Sequence, residues 1–328
     1  VPSEFELIRT YFDRPAAGPA SGVVLGVGDD CALLTVTPGM ELAVSTDMLV
    51  EGRHFARGAD PGLLGHKSLA VNLSDLAAMG ATPRWATLAL ALPAADEDWL
   101  RGFSAGLYAL AARYGVSLAG GDTTRAAAPG ATTISITIMG EVPAGLSLLR
   151  GGAQPGDDIW VSGELGGAAL GLACLQGRAG LPPAAEQAVL ARLHAPEPRV
   201  ALGERLRGLA SAAIDVSDGF AGDLGHILER SDAGALVHYA QLPRAAAFAA
   251  LSDPQLEAQC VLSGGDDYEL VFTAAQAARA EIESLGRELG LALARVGAIQ
   301  PSPGGRRLQV LDAQGKPLPP AGGFDHFA

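Results

Sequence analysis

Hydrophobic positions along the chain follow two periods, near 3.6 and near 2, and the switches between them mark out the elements. Ser3 and Glu6 form an S-x-x-E capping box ahead of a short helix carrying Phe5, Leu7 and Ile8. GVVLGVG (22–28) and MELAVSTD (40–47) read as strands that break at Asp29-Asp30 and at Asp47. Residues 63–79 read as a helix ended by Gly80, with Pro83 just beyond. WATLALALP is strand-like, and residues 97–114 place Leu100, Phe103, Leu107 and Leu110 on one helical face. VSLAGGD and TTISITIMGEVP follow as strands, the second alternating Thr/Ser with Ile as a half-buried strand does.

A PGD turn at 155–157 starts a new series, and the boundary falls near Arg150, giving domains 1–149 and 150–328. The second half reads as strand DIWVSG, a Gly-rich turn into helix GELGGAALGLACL, and a Pro-rich connector at 182–198. A strand and helix at 212–230, a strand around 258–262, strand YELVFT, helix 274–289 and strand ARVGAI complete it. Interleaved strands and helices make the class α/β (α+β).

Composition narrows the function. Of 328 residues, 48% are apolar, enough for two cores, and only 18% are charged, so the chain is not a disordered acidic one. A net charge of −13 argues against nucleic acid and against anionic membranes as partners. Three distant cysteines without a CxxC or Cys/His cluster argue against a disulfide framework or structural zinc, and fit a cytoplasmic protein. VPSEFELIRTYF has acids where a signal peptide carries lysines, and no apolar run reaches the length of a membrane span.

The acids carry the chemistry. Short strands repeatedly end in acidic turns: GVGDD (26–30), STD (45–47), GGD (120–122), DVSDG (215–219) and GGDD (264–267). In α/β folds, strand ends hold the ligand-binding loops. Ser68, Asn72 and Asp75 lie on one face of helix 63–79, so an acid there should point into a polar cavity. Two carboxylates about 5 Å apart repel by roughly 3 kcal/mol at an effective dielectric near 20, so convergence demands cations or protonation. Asp, Ser and Thr oxygens without His or Cys select a hard ion, Mg²⁺ before Ca²⁺, and Mg²⁺ held by few carboxylates takes phosphate oxygens. The usual nucleotide motifs are missing. GLLGHKS at 62–68 is a failed P-loop, SDGF at 217–220 is no kinase motif, and GVGDDC lacks the third glycine of a dinucleotide fingerprint.

GVGDDCALL, STDMLVEGRHF, HKSLAVNLSDLAAMGA, GGDTTR, the Arg150–Asp157 turn, DVSDGF, SGGDDYEL and terminal GFDHF occur in that order. Together they resemble the thiamine-monophosphate kinases, of the aminoimidazole-ribonucleotide-synthetase-like superfamily, over nearly the whole chain. The resemblance implies an ATP-dependent kinase making thiamine diphosphate, and a homodimer whose N-terminal domains contribute strands to a dimer β-barrel beside a C-terminal α/β sandwich domain. It also implies an active site between domains and subunits. It implies that Asp30, Ser45, Thr46, Asp47, Asp75, Asp122, Asp215 and Asp218 hold several Mg²⁺ ions. Tyr108, Gly121, Asp122, Arg150 and Ser217 would meet ATP, and His54, Asp266 and Phe324 would meet thiamine monophosphate. No residue is assigned as a covalent or general-base catalyst. Many relatives show Glu where this chain has Asp266. Rival readings are another enzyme of the superfamily and a non-catalytic nucleotide sensor on the same fold.

Overall fold

A computed structural model describes residues 3–14, 21–127, 130–302, 307–319 and 321–323. The chain divides into two compact units, Val1–Leu76 with Ala81–Gly145, and Ala77–Gly80 with Leu146–Ala328.

In the first unit, the Ser3 hydroxyl caps helix α1 (Glu4–Tyr11), and Glu6 reaches back to the Ser3 N–H at 2.7 Å, closing the expected capping box. Strands β1 (Val23–Leu25) and β2 (Leu33–Leu34) form a small antiparallel pair. Strands β3 (Met40–Val50), β4 (Thr82–Leu92), β5 (Ser117–Arg125) and β6 (Thr133–Pro143) form a sheet in the order β3-β6-β4-β5, with only β4–β5 parallel. Helix α2 (Pro61–Ala78) starts two residues before the sequence-predicted position, because Asp60 caps the Leu63 N–H at 2.8 Å and Pro61 supplies a preset first residue. Asp96 caps helix α3 (Glu97–Tyr114), whose Leu100, Phe103, Leu107 and Leu110 are all buried, as the periodicity predicts.

Alternate residues of β6, Ile134, Ile136 and Ile138, are buried with Leu69, Leu73 and Leu76 of α2, fixing the core of this unit. The two helices meet on glycine. A Cβ added to Gly65 would lie 2.1 Å from the Phe103 carbonyl oxygen, and one on Gly106 would lie 1.9 Å from that of Gly62.

The second unit contains strands β7 (Asp158–Ser162), β8 (Ala212–Asp215), β9 (Gly234–His238), β10 (Leu270–Ala274), β11 (Leu293–Gln300) and β12 (Leu308–Leu311). They form one sheet in the order β12-β9-β11-β7-β10-β8, antiparallel except for β9–β12. Its helices are α4 (Gly167–Leu175), α5 (Pro183–His194), α6 (Val200–Arg205), α7 (Phe220–Arg230), α8 (Pro254–Ser263) and α9 (Arg279–Leu289). Ile159, Val161, Ile214, Val271 and Ile299 of the sheet share one core with Leu170, Phe220, Leu224 and Ile227 of the helices.

Three expectations are corrected here. The strand expected around 258–262 is helix α8: the Asp253 carboxylate accepts from Gln255 and Leu256 N–H groups at 3.0 Å each, with Pro254 at the first helical position. The connector at 182–198 contains α5, for which Pro183 serves as a first-turn residue rather than a breaker. The helix expected from 274 starts at Arg279, since Ala274 ends β10.

Candidate active-site turns

Helix α2 and strand β3 bring the first group together. The Ser45 hydroxyl donates to Asp75 Oδ2 at 2.5 Å, and the Asp47 N–H donates to Asn72 Oδ1 at 3.2 Å. Asn72 is buried and its amide nitrogen donates to the Ser68 carbonyl at 2.9 Å, so the polar stripe on α2 is held from within the helix. The neighbouring Thr46 hydroxyl pairs with that of Thr137 at 2.8 Å. Ser45, Thr46 and Asp47 therefore lie mid-strand, not at the strand end the sequence pattern suggests, because β3 runs on to Val50 against β6.

His54 lies four residues past β3's end. Its Nδ1 accepts the Val50 N–H at 3.0 Å, which leaves Nε2 as the protonated nitrogen of the neutral ring. Asp29 and Asp30 are both exposed, and Asp29 Oδ1 accepts the Asp30 N–H at 2.8 Å, so Asp29 serves its own turn.

Gly121 and Asp122 also lie inside a strand, β5, rather than past its end, with Asp122 opposite Ala89 of β4. A Cβ on Gly121 would lie 1.9 Å from the Leu88 carbonyl oxygen, whereas one on Gly120 would meet nothing within 4 Å. Tyr108, which the resemblance places at the nucleotide, is tied to the chain's N-terminal segment. Its hydroxyl donates to the Phe12 carbonyl at 2.7 Å, the Arg14 guanidinium lies 4.0 Å over its ring, and burial pushes its pKa up to about 12.

The second unit carries the other group. Asp215 ends β8 and is buried, and Ser217 and Asp218 follow half-buried in the turn before α7. The segment 264–269 lies beside that turn: the Asp266 N–H donates to the Ser217 carbonyl at 2.9 Å and the Tyr268 N–H to the Val216 carbonyl at 2.8 Å. Asp266 and Tyr268 both have positive φ, +69° and +50°, a conformation that costs non-glycine residues and gathers at functional sites. The Tyr268 hydroxyl donates to Asp266 Oδ1 at 2.9 Å. Arg150 is exposed. Phe324 lies outside the described residues. Gly323 lies within them, and a Cβ on Gly222 of α7 would sit 2.6 Å from its Cα, so this stretch of the tail passes directly over the start of α7.

Two further carboxylates organise these turns, and neither is among the site residues drawn from the sequence. Asp223 is buried, and its Oδ2 accepts from Ser217, Asp218 and Gly219 N–H groups at 3.1, 3.1 and 3.0 Å. Burial, then the Asp218 charge, push its pKa up to about 7 against the pull of those three bonds. Asp267 is buried, accepts from Gly166 N–H at 2.6 Å and Ala168 N–H at 3.3 Å, and is likewise raised to about 7, chiefly by burial. Two residues on, fully buried Glu269 takes the Arg199 guanidinium in a fork, at 2.6 Å to each oxygen, with Arg192 at 3.0 Å and the Ser162 hydroxyl at 2.6 Å. Their only sequence signal is position: an acid four residues into a helix after a glycine turn, and an acid doubled beside another.

Among the described residues no three His, Cys, Asp or Glu side chains converge on one metal-sized point. No described helix is long and apolar enough to cross a membrane.

The models for AIR synthase related protein, N-terminal and C-terminal domains, match residues 28–142 and 154–308. The chain is 45% identical to the thiamine-monophosphate kinase of Escherichia coli K12, covering 99% of this chain and 98% of the relative. It is 42% identical to that of Haemophilus influenzae over the same share of each chain. Among solved structures, thiamine-monophosphate kinase from Stenotrophomonas maltophilia K279a superposes with a TM-score of 0.82 at 44% identity, covering 93% of this chain and 94% of the other. AaThiL complexed with AMPPCP and TMP gives 0.77 at 26% identity, covering 98% and 96%. The chain belongs to the thiamine-monophosphate kinase family of AIR synthase related proteins.

Proposed function

We propose that the chain transfers the γ-phosphoryl group of ATP to the phosphate of thiamine monophosphate, giving thiamine diphosphate and ADP. The observation that carries this reading is the 45% identity over 99% of the chain to a thiamine-monophosphate kinase. The likeness to AaThiL, complexed with AMPPCP and TMP, supports the same pair of substrates.

The acceptor is a phosphate oxygen, already ionised at neutral pH, so the reaction needs alignment and charge neutralisation more than a general base. Transfer is direct and in line, without a phosphoenzyme. The donor set, carboxylate and hydroxyl oxygens without His or Cys, fits Mg²⁺. In the first unit Asp30, Ser45, Thr46, Asp47, Asp75 and Asp122 would hold it, and in the second Asp215 and Asp218. Bound there, several Mg²⁺ ions would screen the repulsion between two anionic substrates. Gly121, Ser217 and Arg150 would orient the nucleotide phosphates, Arg150 through a planar fork. His54 and Asp266 would hold thiamine monophosphate, with Phe324 offering an aromatic face to the cationic thiazolium.

The homodimer belongs to this reading. Strand β3 leaves Leu42, Val44 and Met48 exposed on alternate positions, Val44 at 56% and Met48 at 55%, and Val24 and Leu33 of β1 and β2 are exposed too. Apolar rows of this kind on a sheet are what a partner subunit covers. The three cysteines are all free, which fits the reducing cytoplasm.

The test is direct: purified protein with ATP, Mg²⁺ and thiamine monophosphate, read for thiamine diphosphate and for ADP. Acceptor-stimulated ADP release with matching diphosphate supports the reading; nucleotide binding without turnover would sink it.

A further inference from the structure

Asp223 lies in the first turns of an 11-residue helix, only 2% exposed, and offers a single oxygen to three successive backbone N–H groups, those of residues 217, 218 and 219. Successive N–H groups aimed at one point, at the head of a helix, form a nest of the kind that receives phosphate and other anions in many proteins. Here a carboxylate of the chain itself fills it. The backbone is shaped to allow this. Gly219 has φ +118°, and a Cβ there would lie 2.7–2.9 Å from the Ser263 backbone. The Asp223 N–H returns to the Gly219 carbonyl at 3.0 Å, closing the loop on itself.

We infer that Asp223 is the built-in acceptor of this nest and a positioning residue for the turn that carries Ser217 and Asp218. With the N–H groups already satisfied, an incoming phosphate finds no free backbone donor among residues 217–219. The turn must act through its side chains, and Asp223 fixes where those side chains lie. This rests on the phosphoryl-transfer reading above and names what holds the second unit's phosphate turn in place.

Asp223→Ala vacates a carboxylate-sized space facing three unpaired N–H groups, and formate is the probe that fits it. The melting temperature of Asp223→Ala should rise saturably with sodium formate, several degrees beyond its response to sodium chloride of equal ionic strength. The unaltered protein should respond alike to both salts. Calorimetric affinity for ADP with Mg²⁺ should fall at least about tenfold in Asp223→Ala and return to within about threefold in formate. Asp223→Asn, whose amide oxygen can still face the nest, should stay within about threefold throughout. A formate response no greater than that of chloride, or unchanged ADP affinity in Asp223→Ala, overturns the inference. Should the alanine variant not fold, Asp223→Ser goes through the same two measurements. If the unaltered protein fails to bind ADP with Mg²⁺, the functional reading falls, and the formate response still decides the nest.

Discussion

The Ser45 hydroxyl donates to Asp75 Oδ2 at 2.5 Å, tying the middle of β3 to the polar face of α2. Asp75 is half-buried, so its carboxylate is desolvated enough to matter and open enough to meet a ligand. Asp75→Asn keeps the shape and removes the charge. Turnover should fall at least about 100-fold, and Ser45→Ala should raise the Mg²⁺ concentration for half-maximal rate at least about threefold, with melting temperatures near that of the parent. Near-normal kinetics in both would take this pair out of the metal-binding set.

Gly121 and Gly120 are neighbours with opposite tolerances. The obstacle to a Cβ at 121 is the Leu88 backbone, which a rotamer change cannot move, while 120 faces open space. Gly121→Ala should cost about 2–4 kcal/mol in urea unfolding and sharply lower turnover by displacing Asp122, whereas Gly120→Ala should stay within about 1 kcal/mol. Equal costs would mean that β5 yields where its register with β4 says it cannot.

Tyr268 clamps Asp266 through its hydroxyl. Tyr268→Phe removes one hydrogen bond to Asp266 and leaves the ring in place. KM for thiamine monophosphate should rise about three- to tenfold with kcat and KM for ATP little changed. A fall in kcat at constant KM would assign the hydroxyl to another step.

Asp267 carries a pH dependence with a definite sign. Its pKa rises from 3.8 to about 7 on folding, so between those values the folded chain binds more protons than the unfolded one. Its contribution is fully present below pH 3.8 and is lost as the pH rises through about 7. Asp267→Asn lacks this dependence. Relative to the parent, the variant should therefore gain stability from pH 5 to pH 8, by at least about 1 kcal/mol in paired urea melts. A constant difference across that range would show that the carboxyl titrates normally.

Much of the fold is legible because its signals are local. Caps at Ser3 and Asp96, and the buried stripe from Leu100 to Leu110, need no tertiary information. Helix α8 reads as a strand in the sequence because Cys260, Val261 and Leu262 form an apolar run too short for periodicity to arbitrate, although Asp253-Pro254 marks its start. The acidic motifs stand out as residue types, but not as geometry. Ser45–Asp47 and Gly121–Asp122 look like turns because Gly and Asp favour turns, yet β6 and β4 keep them in strands. In the sequence Asp223 reads as a cap or a helix-surface group and Asp267 as one more turn acid; that both organise the turns follows from their burial and from the N–H groups they meet.

Gly222 and Gly323 each occupy the room where the other's side chain would grow: an added carbon at 222 would lie 2.6 Å from the Cα of 323, and one at 323 would lie 3.3 Å from that of 222. Their histories are therefore joined. A methyl at 222 forces the opposing backbone to retreat, while one at 323 asks for a shift of only tenths of an ångström, so lineages that abandon the glycine at 222 should be found to have rerouted or shortened the tail.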